Sequence, residues 1–328
     1  MLESLPFLTV DFLTKPVWMW LVFMALVVVL LVLDLGILHK QQREIEVRES
    51  LILSAGYIAI GLLFGLWVWW EMGKQSGIEY LTGFIVEKTL AMDNIFVIAM
   101  IFAFFAIPRQ YQHRVLFWGI LGVIVLRALM IALGATLVAE FSWVLYIFAV
   151  FLIATGVKMI IFANKKADLA NNPVLKFMRR HFRVTDQFHG EKFLVKKTDP
   201  KTGKMVTYLT PLMLALVLIE IADVIFAVDS VPAIFAITTD PYLVYTSNIF
   251  AILGLRALYF ALAAVLARFH YLKYALSLLL IFIGSKIFIA DFMGWEKFPA
   301  MWSLGITFAI LGTGIVYSLY KTRTPQAA

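Results

Sequence analysis

Apolar residues run in long blocks at about 17–38, 50–70, 84–106, 115–138, 142–163, 209–237, 247–266, 271–291 and 300–320. Most of these blocks match the length a helix needs to cross about 30 Å of hydrocarbon, at about 1.5 Å per residue. Lipid offers no partner to a free backbone group, so each block is expected as a helix that closes its own hydrogen bonds. A β-barrel would instead show segments of about ten alternating residues, and no such alternation runs along this chain. The pattern predicts an all-α polytopic membrane protein with about nine transmembrane helices.

One polar stretch, 164–208, interrupts the blocks with NKKADLANNP, FMRRHFRV and KKTDPKTGK. Its lysines, arginines and turn formers (Pro173, Pro200, Gly203) read as a basic cytoplasmic loop lying against anionic lipid, with no site of its own. DPKTGK is suited to the turn of a hairpin. His181 and His189 are expected as solvated loop residues.

Composition agrees with the blocks. Of 328 residues 62% are hydrophobic and only 15% charged, too little polar surface for a soluble protein of this size. There is no Cys, which excludes disulfides and thiolate metal ligands. The opening MLESLPFLTVDFLTKP lacks the pattern of a removable signal peptide. The net charge of +7 could suggest nucleic acid, but the placement of the basic residues gives it another use. With the N-terminus outside, the inward segments apart from the long loop carry Lys40, Arg43, Arg48, Arg109, Arg114, Arg268, Lys273, Lys321 and Arg323. The outward ones carry only Lys15, Lys74 and Lys297. Basic residues accumulate on the cytoplasmic side, so the C-terminus is expected in the cytoplasm and no nucleic-acid role is assigned. Trp67, Trp69, Trp70, Trp295 and Trp302 fall near the outer ends, where interfacial anchors belong.

The chain also resembles itself. VIVLRALMIALG (123–134) parallels AILGLRALYFAL (251–262), matching Arg127 with Arg256. FLIATGVKMIIFA (151–163) parallels LLIFIGSKIFIAD (279–291), matching Lys158 with Lys286. Asp93-Asn94 then falls against Asp229-Ser230, and Glu87 against Asp223. Three spans per copy is an odd number, so the reading is an inverted pair of three-helix repeats, an arrangement found in transporters. The expected organisation is two N-terminal helices (1–83), a first repeat (84–163), the basic loop (164–208), a second repeat (209–291) and a final helix with a cytoplasmic tail (292–328).

The chemistry lies in the charges inside these blocks. The acids are Asp34, Glu87, Asp93, Glu220, Asp223 and Asp229; the bases are Lys88, Arg127, Lys158, Arg256 and Lys286. Each would cost about 2.5–3.5 kcal/mol at mid-membrane, so they should face one another or a wet cavity. Pure internal fastening is one reading. The other is a cation site, because the acids gather in two helices where Asn94 and Ser230 add further hard oxygens. On that reading Glu87, Asp93, Asn94, Glu220, Asp223 and Asp229 line the site. Asp34, Lys88, Arg127, Lys158, Arg256 and Lys286 brace or balance it. Glu220 and Asp223 share a helix face, whereas Asp229 does so only if the helix opens near Pro232, and an opening over 228–232 is expected. Hard divalent cations such as Mn²⁺, Ca²⁺ or Mg²⁺ fit; Zn²⁺ and Cu⁺ are poorly served without thiols or mid-span histidines.

At EKTLAMDNIFV and IEIADVIFAVDSVPAIFA the chain resembles the TerC family of bacterial membrane proteins, and within it the Alx-like branch. The likeness extends over most of the chain, including Asp34-Leu35-Gly36 and the LRAL and G-x-K elements. It implies manganese export or metal homeostasis, Mn²⁺ as the cation, a bacterial inner membrane as the location, and the six residues above as the family's acidic-motif positions. An association with tellurium resistance finds no chemical support, since a carboxylate-rich site repels an oxyanion. The expected function is secondary transport of Mn²⁺ outward, with protons as a possible counter-ion and no bound cofactor. The alternative is a non-transporting scaffold or regulatory subunit. No nucleotide-binding loop, H-E-x-x-H motif or mid-membrane Ser–His pair points to an enzyme.

Overall fold

The computed structural model describes residues 6–36, 47–141, 143–161, 172–198, 203–263, 271–295 and 298–322. The side chains of Asp34, Asp93, Asp229 and Arg256 lie outside this description, although each position is helical. Eleven helices are found among the described residues: α1 (Val17–Gly36), α2 (Val47–Met72), α3 (Lys74–Phe104), α4 (Arg109–Glu140), α5 (Val144–Ile161), α6 (Pro173–His181), α7 (Pro211–Phe235), α8 (Pro241–Leu253), α9 (Leu255–Ala263), α10 (Leu272–Phe292) and α11 (Ala300–Lys321). Two small antiparallel hairpins complete the description: β1 (Asp11–Phe12) with β2 (Lys15–Pro16), and β3 (Leu194–Thr198) with β4 (Met205–Leu209).

The count of about nine spans is corrected. Among the described residues six helices are long and apolar enough to cross a membrane: Arg48–Met72, Arg109–Glu140, Val144–Ile161, Pro211–Phe235, Leu272–Phe292 and Ala300–Lys321. The block at 84–106 belongs to α3, which has 31 residues and carries Glu79, Glu87, Lys88 and Asp93 along its length. The first block yields only a shorter apolar helix, Val17–Leu33. The block at 247–266 divides at Gly254 into α8 and α9. With 13 residues α8 is too short to span, and Tyr242 through Leu253 are all buried; it is an interior helix wrapped in protein.

The inverted repeat pair falls with the span count. Its middle element would be α4 in one copy, a continuous helix of 32 residues, and α8 plus α9 in the other, of 13 and 9 residues. The matched LRAL sequences therefore sit in unlike places: Arg127 is in mid-helix and Arg256 begins a new one. Short apolar alphabets imitate one another, and here the likeness does not extend to the build. The opening expected at Pro232 is also absent, since α7 continues through Pro232 to Phe235. Proline there removes one hydrogen bond within a turn of the helix end, where little helix remains to be disrupted.

Around α8 the core is aromatic. Phe64 packs at a tilt on Phe250 with ring centres 4.7 Å apart, and Trp20 meets Tyr242 edge-on at 5.0 Å. The hydroxyl of Tyr242 donates to Met19 O and that of Tyr80 to Gly61 O, so both buried phenols are satisfied. Asp240 caps α8 by accepting from Tyr242 N and pairs with Lys15 at 2.8 Å.

The hairpin foreseen around DPKTGK is formed by β3 and β4, with 199–202 outside the described residues. The same segment carries an unforeseen helix, α6, capped by Asn172 and packed through Leu175 and Met178 on Leu214 of α7.

On the far flank α5 and α10 lie in close contact because both present glycine. A methyl added at Gly156 would stand 2.7 Å from Ser277 O, and one at Gly284 would meet Ala149 O. Small residues let helix backbones approach where no hydrophobic force operates in lipid. Gly284→Val is accordingly expected to lower stability by about 1–3 kcal/mol through overpacking. Gly305→Val, at a position open on α11, should leave it nearly unchanged. Thermal unfolding in detergent checks both.

Candidate functional site

The centre of the molecule is a guanidinium. Arg127, at the middle of α4, is 1% exposed and is surrounded by polar groups from three other helices. Its Nη1 donates to Glu87 Oε1 of α3 at 2.6 Å, to Ser230 Oγ of α7 at 2.7 Å and to Asn248 Oδ1 of α8 at 3.0 Å. Its Nε and Nη2 reach the two oxygens of Asp223 on α7, both at 3.4 Å. Asn94, two turns along α3 from Glu87, donates from Nδ2 to Asp223 Oδ1 at 3.2 Å. Two N–H groups on Nη1 thus serve three acceptors, while the Asp223 arm is long and loose.

Local sequence explains the convergence. Glu87 and Asn94 are seven residues apart, about two helical turns, so both face the same way from α3. Asp223 and Ser230 repeat that spacing on α7. Gly119 and Gly122 strip α4 of side chains where α7 approaches, and the Glu220 carboxylate packs into that space.

The arrangement leaves oxygens over. Glu87 Oε2, Asn94 Oδ1 and Glu220 Oε2 are buried and have no hydrogen-bond partner among the described residues, and the same holds for Asn248 Nδ2. Glu87, Asn94, Arg127 and Ser230, with Met159 and Leu280, line a cavity of about 160 Å³. An unpartnered buried carboxylate oxygen is costly. Glu87 and Asn94, each with an orphan oxygen, line this cavity together with the Ser230 hydroxyl, a donor set suited to a hard cation. Among the described residues, however, no three His, Asp or Glu side chains gather as a metal shell.

Of the six residues expected to line a site, Glu87, Asn94 and Asp223 are brought together, and Glu220 lies one turn from Asp223. The side chains of Asp93 and Asp229 lie outside the described residues. Among the expected supporting residues whose side chains are described, only Arg127 joins the cluster, and it stands at the centre. Lys88 is buried and donates to Ala251 O at 2.9 Å, serving a carbonyl that the break at Gly254 sets free. Lys158 is exposed on the last turn of α5. Lys286 is buried elsewhere, where it donates to Ser303 Oγ at 3.2 Å and lines a separate cavity of about 280 Å³ with Glu79. The side chains of Asp34 and Arg256 lie outside the described residues. Asn248 was missed; the adjacent polar pair Ser247-Asn248 inside an apolar 13-residue helix was the available signal.

Breaking this pairing should be expensive, because removing one partner strands the other charge in the interior. Glu87→Ala is expected to lower stability by about 3–5 kcal/mol. Lys158→Ala, at an exposed position, should cost less than about 1 kcal/mol. Detergent melts of the two variants against the parent decide this.

Comparison with known proteins agrees with the membrane reading. The chain is 49% identical over 302 residues to an uncharacterized membrane protein of Rickettsia bellii, covering 92% of this chain and 97% of that one. It is 44% identical over 305 residues to an uncharacterized membrane protein of Myxococcus xanthus, covering 93% of each. It is 43% identical over 302 residues to the "Putative membrane-bound redox modulator Alx" of Escherichia coli, covering 89% of this chain and 91% of that one. No solved structure matches it. Residues 72–326 match the integral membrane protein TerC family, and the chain is a bacterial multi-pass membrane protein of that family.

Proposed function

We propose that this protein exports a hard divalent cation, Mn²⁺ first among them, through the cluster around Glu87, Asn94 and Asp223. The observation that carries the reading is the pair of buried, unpartnered oxygens, Glu87 Oε2 and Asn94 Oδ1, on two residues that line one cavity with Ser230. Carboxylate, amide and hydroxyl oxygens are hard ligands, suited to Mn²⁺, Mg²⁺ and Ca²⁺, and a transported ion needs a site that it can leave. Asp93 and Asp229, next in sequence to Asn94 and Ser230, supply further carboxylates to the same two helices. The basic residues at Lys321 and Arg323 place the C-terminus on the cytoplasmic side of a bacterial inner membrane. The cavity bordered by Glu79 and Lys286 then opens at the outer end of the bundle. Protons are the natural counter-ion for a carboxylate site.

A second reading has its own observation. Arg127 bonds to α3, α7 and α8 from α4, and four helices held by one residue is also what a non-transporting scaffold or regulatory subunit would show.

Flux separates the two. Everted vesicles carrying the parent chain are expected to take up radioactive Mn²⁺, faster under an imposed proton gradient. Asn94→Ala leaves every Arg127 contact in place, yet it should lower uptake at least about tenfold at matched abundance. Asp93→Asn should do the same. Parent vesicles that move no more Mn²⁺ than empty ones, with or without the gradient, would exclude export and leave the scaffold.

A further inference from the structure

Arg127 occupies the two carboxylates that a transported cation would need. A guanidinium and a divalent cation cannot both sit against Glu87 and Asp223, so the site described above is a site already holding a cation, one tethered to the protein. How firmly it holds decides what can replace it. The contact with Glu87 is short, at 2.6 Å, but both contacts with Asp223 are 3.4 Å. The guanidinium is anchored at one end and loose at the other.

One turn along α7 from Asp223 there is a second acceptor. Glu220 is three residues from Asp223 on α7 and therefore on the same face. Its carboxylate packs against Gly119 and Gly122 of α4, and its Oε2 is buried without a partner among the described residues. Long side chains on a helix lean toward its N-terminus, which on α4 carries Arg127 toward Gly122. Glu220 thus offers the same guanidinium an alternative acceptor, toward the N-terminal end of α4.

We propose that Arg127 is a tethered competitor of the transported cation: it closes the site when no metal is bound, and a divalent cation displaces it from Glu87 toward Glu220. This deepens the reading of the cluster as a cation site and rests on it. The consequence is selectivity by charge. A monovalent ion offers the carboxylates no more charge than the guanidinium it would replace and forfeits the hydrogen bonds of its planar fork. A divalent ion brings one further charge and uses the orphan oxygens of Glu87 and Asn94. Arg127 therefore excludes Na⁺ and K⁺ while admitting Mn²⁺.

Binding, measured apart from flux, tests this. Free Mn²⁺ is followed by electron paramagnetic resonance with purified protein in nanodiscs, in choline chloride and in NaCl of equal ionic strength. Arg127→Gln is expected to bind Mn²⁺ at least about tenfold more tightly than the parent in choline chloride. Na⁺ should then compete in the variant and have no effect on the parent. Glu220→Gln should weaken binding in the parent, where it removes the alternative acceptor, and have no effect in the Arg127→Gln background. A folded Arg127→Gln protein that binds no more tightly overturns the proposal, as does Glu220→Gln weakening both backgrounds equally, which would make Glu220 a plain ligand. If Arg127→Gln does not fold, the parent is labelled with carbon-13 at the arginine guanidine carbon. Adding Mn²⁺ should shift a label-sensitive infrared band, reduced in Glu220→Gln; binding without that shift overturns the proposal. Mn²⁺ bound by no variant overturns both this and the exporter reading. Flux without tighter binding in Arg127→Gln overturns this alone, and tighter binding without flux overturns export alone.

Discussion

A guanidinium taken out of water must be answered on every side, and the architecture of this protein follows from how Arg127 is answered. Glu87, Asp223, Ser230 and Asn248 come from three helices, and none could move away without leaving a buried charge exposed to hydrocarbon. In a membrane, helices gain little from hydrophobic contact with one another, since lipid is as apolar as leucine. Polar pairing therefore decides which helices are neighbours. A lysine could not do the same: its single point charge lacks the planar fork that reaches Glu87 from one nitrogen and Asp223 from the other two.

That constraint sorts the helices into an inner and an outer set. Of the three helices that answer Arg127, the charged α3 and the short α8 are buried along most of their length. Helices α2, α5 and α11 keep broad apolar faces outward; the apolar stretch of α11 is only 17% buried. Where α4 and α7 meet, glycine replaces side chains so that Glu220 can lie against the backbone. The break between α8 and α9 belongs to the same logic. A free carbonyl at Ala251 would be intolerable in lipid, but Lys88 of α3 reaches it, so an interruption can be held inside the bundle.

Most of the chemistry was legible in the sequence, and much of the geometry was not. Mid-membrane carboxylates announce themselves by their cost, and Glu87, Asn94 and Asp223 do converge. Arg127 was visible too, but as a brace, because counting charges gives no hint of which one stands in the middle. Helix ends misled most. Apolar length alone joined α8 to α9, because the signal that divides them is a contact with a lysine about 160 residues away in sequence. Pro232 suggested an opening that its place in the last turn of α7 makes unnecessary. The likeness between LRAL at 126–129 and at 255–258 is real as text, yet one copy is mid-helix and the other follows a break. Asn248 went unnoticed because an amide among apolar residues carries no formal charge to count.

The balance of charge at the centre ties these observations to the proposed activity. Two carboxylates and one guanidinium leave a single negative charge, and the orphan oxygens of Glu87 and Asn94 add acceptors without adding charge. Such a cluster is stable enough to assemble the bundle and still short of full satisfaction. A fully paired network would bind nothing further, and a bare cluster of carboxylates would neither pack nor release an ion. On the proposed activity, the structural role and the transport role of Arg127 would for that reason be the same physical fact. The residue that allows acidic side chains to be buried is, on that proposal, also the one whose displacement would set how strongly a metal is held.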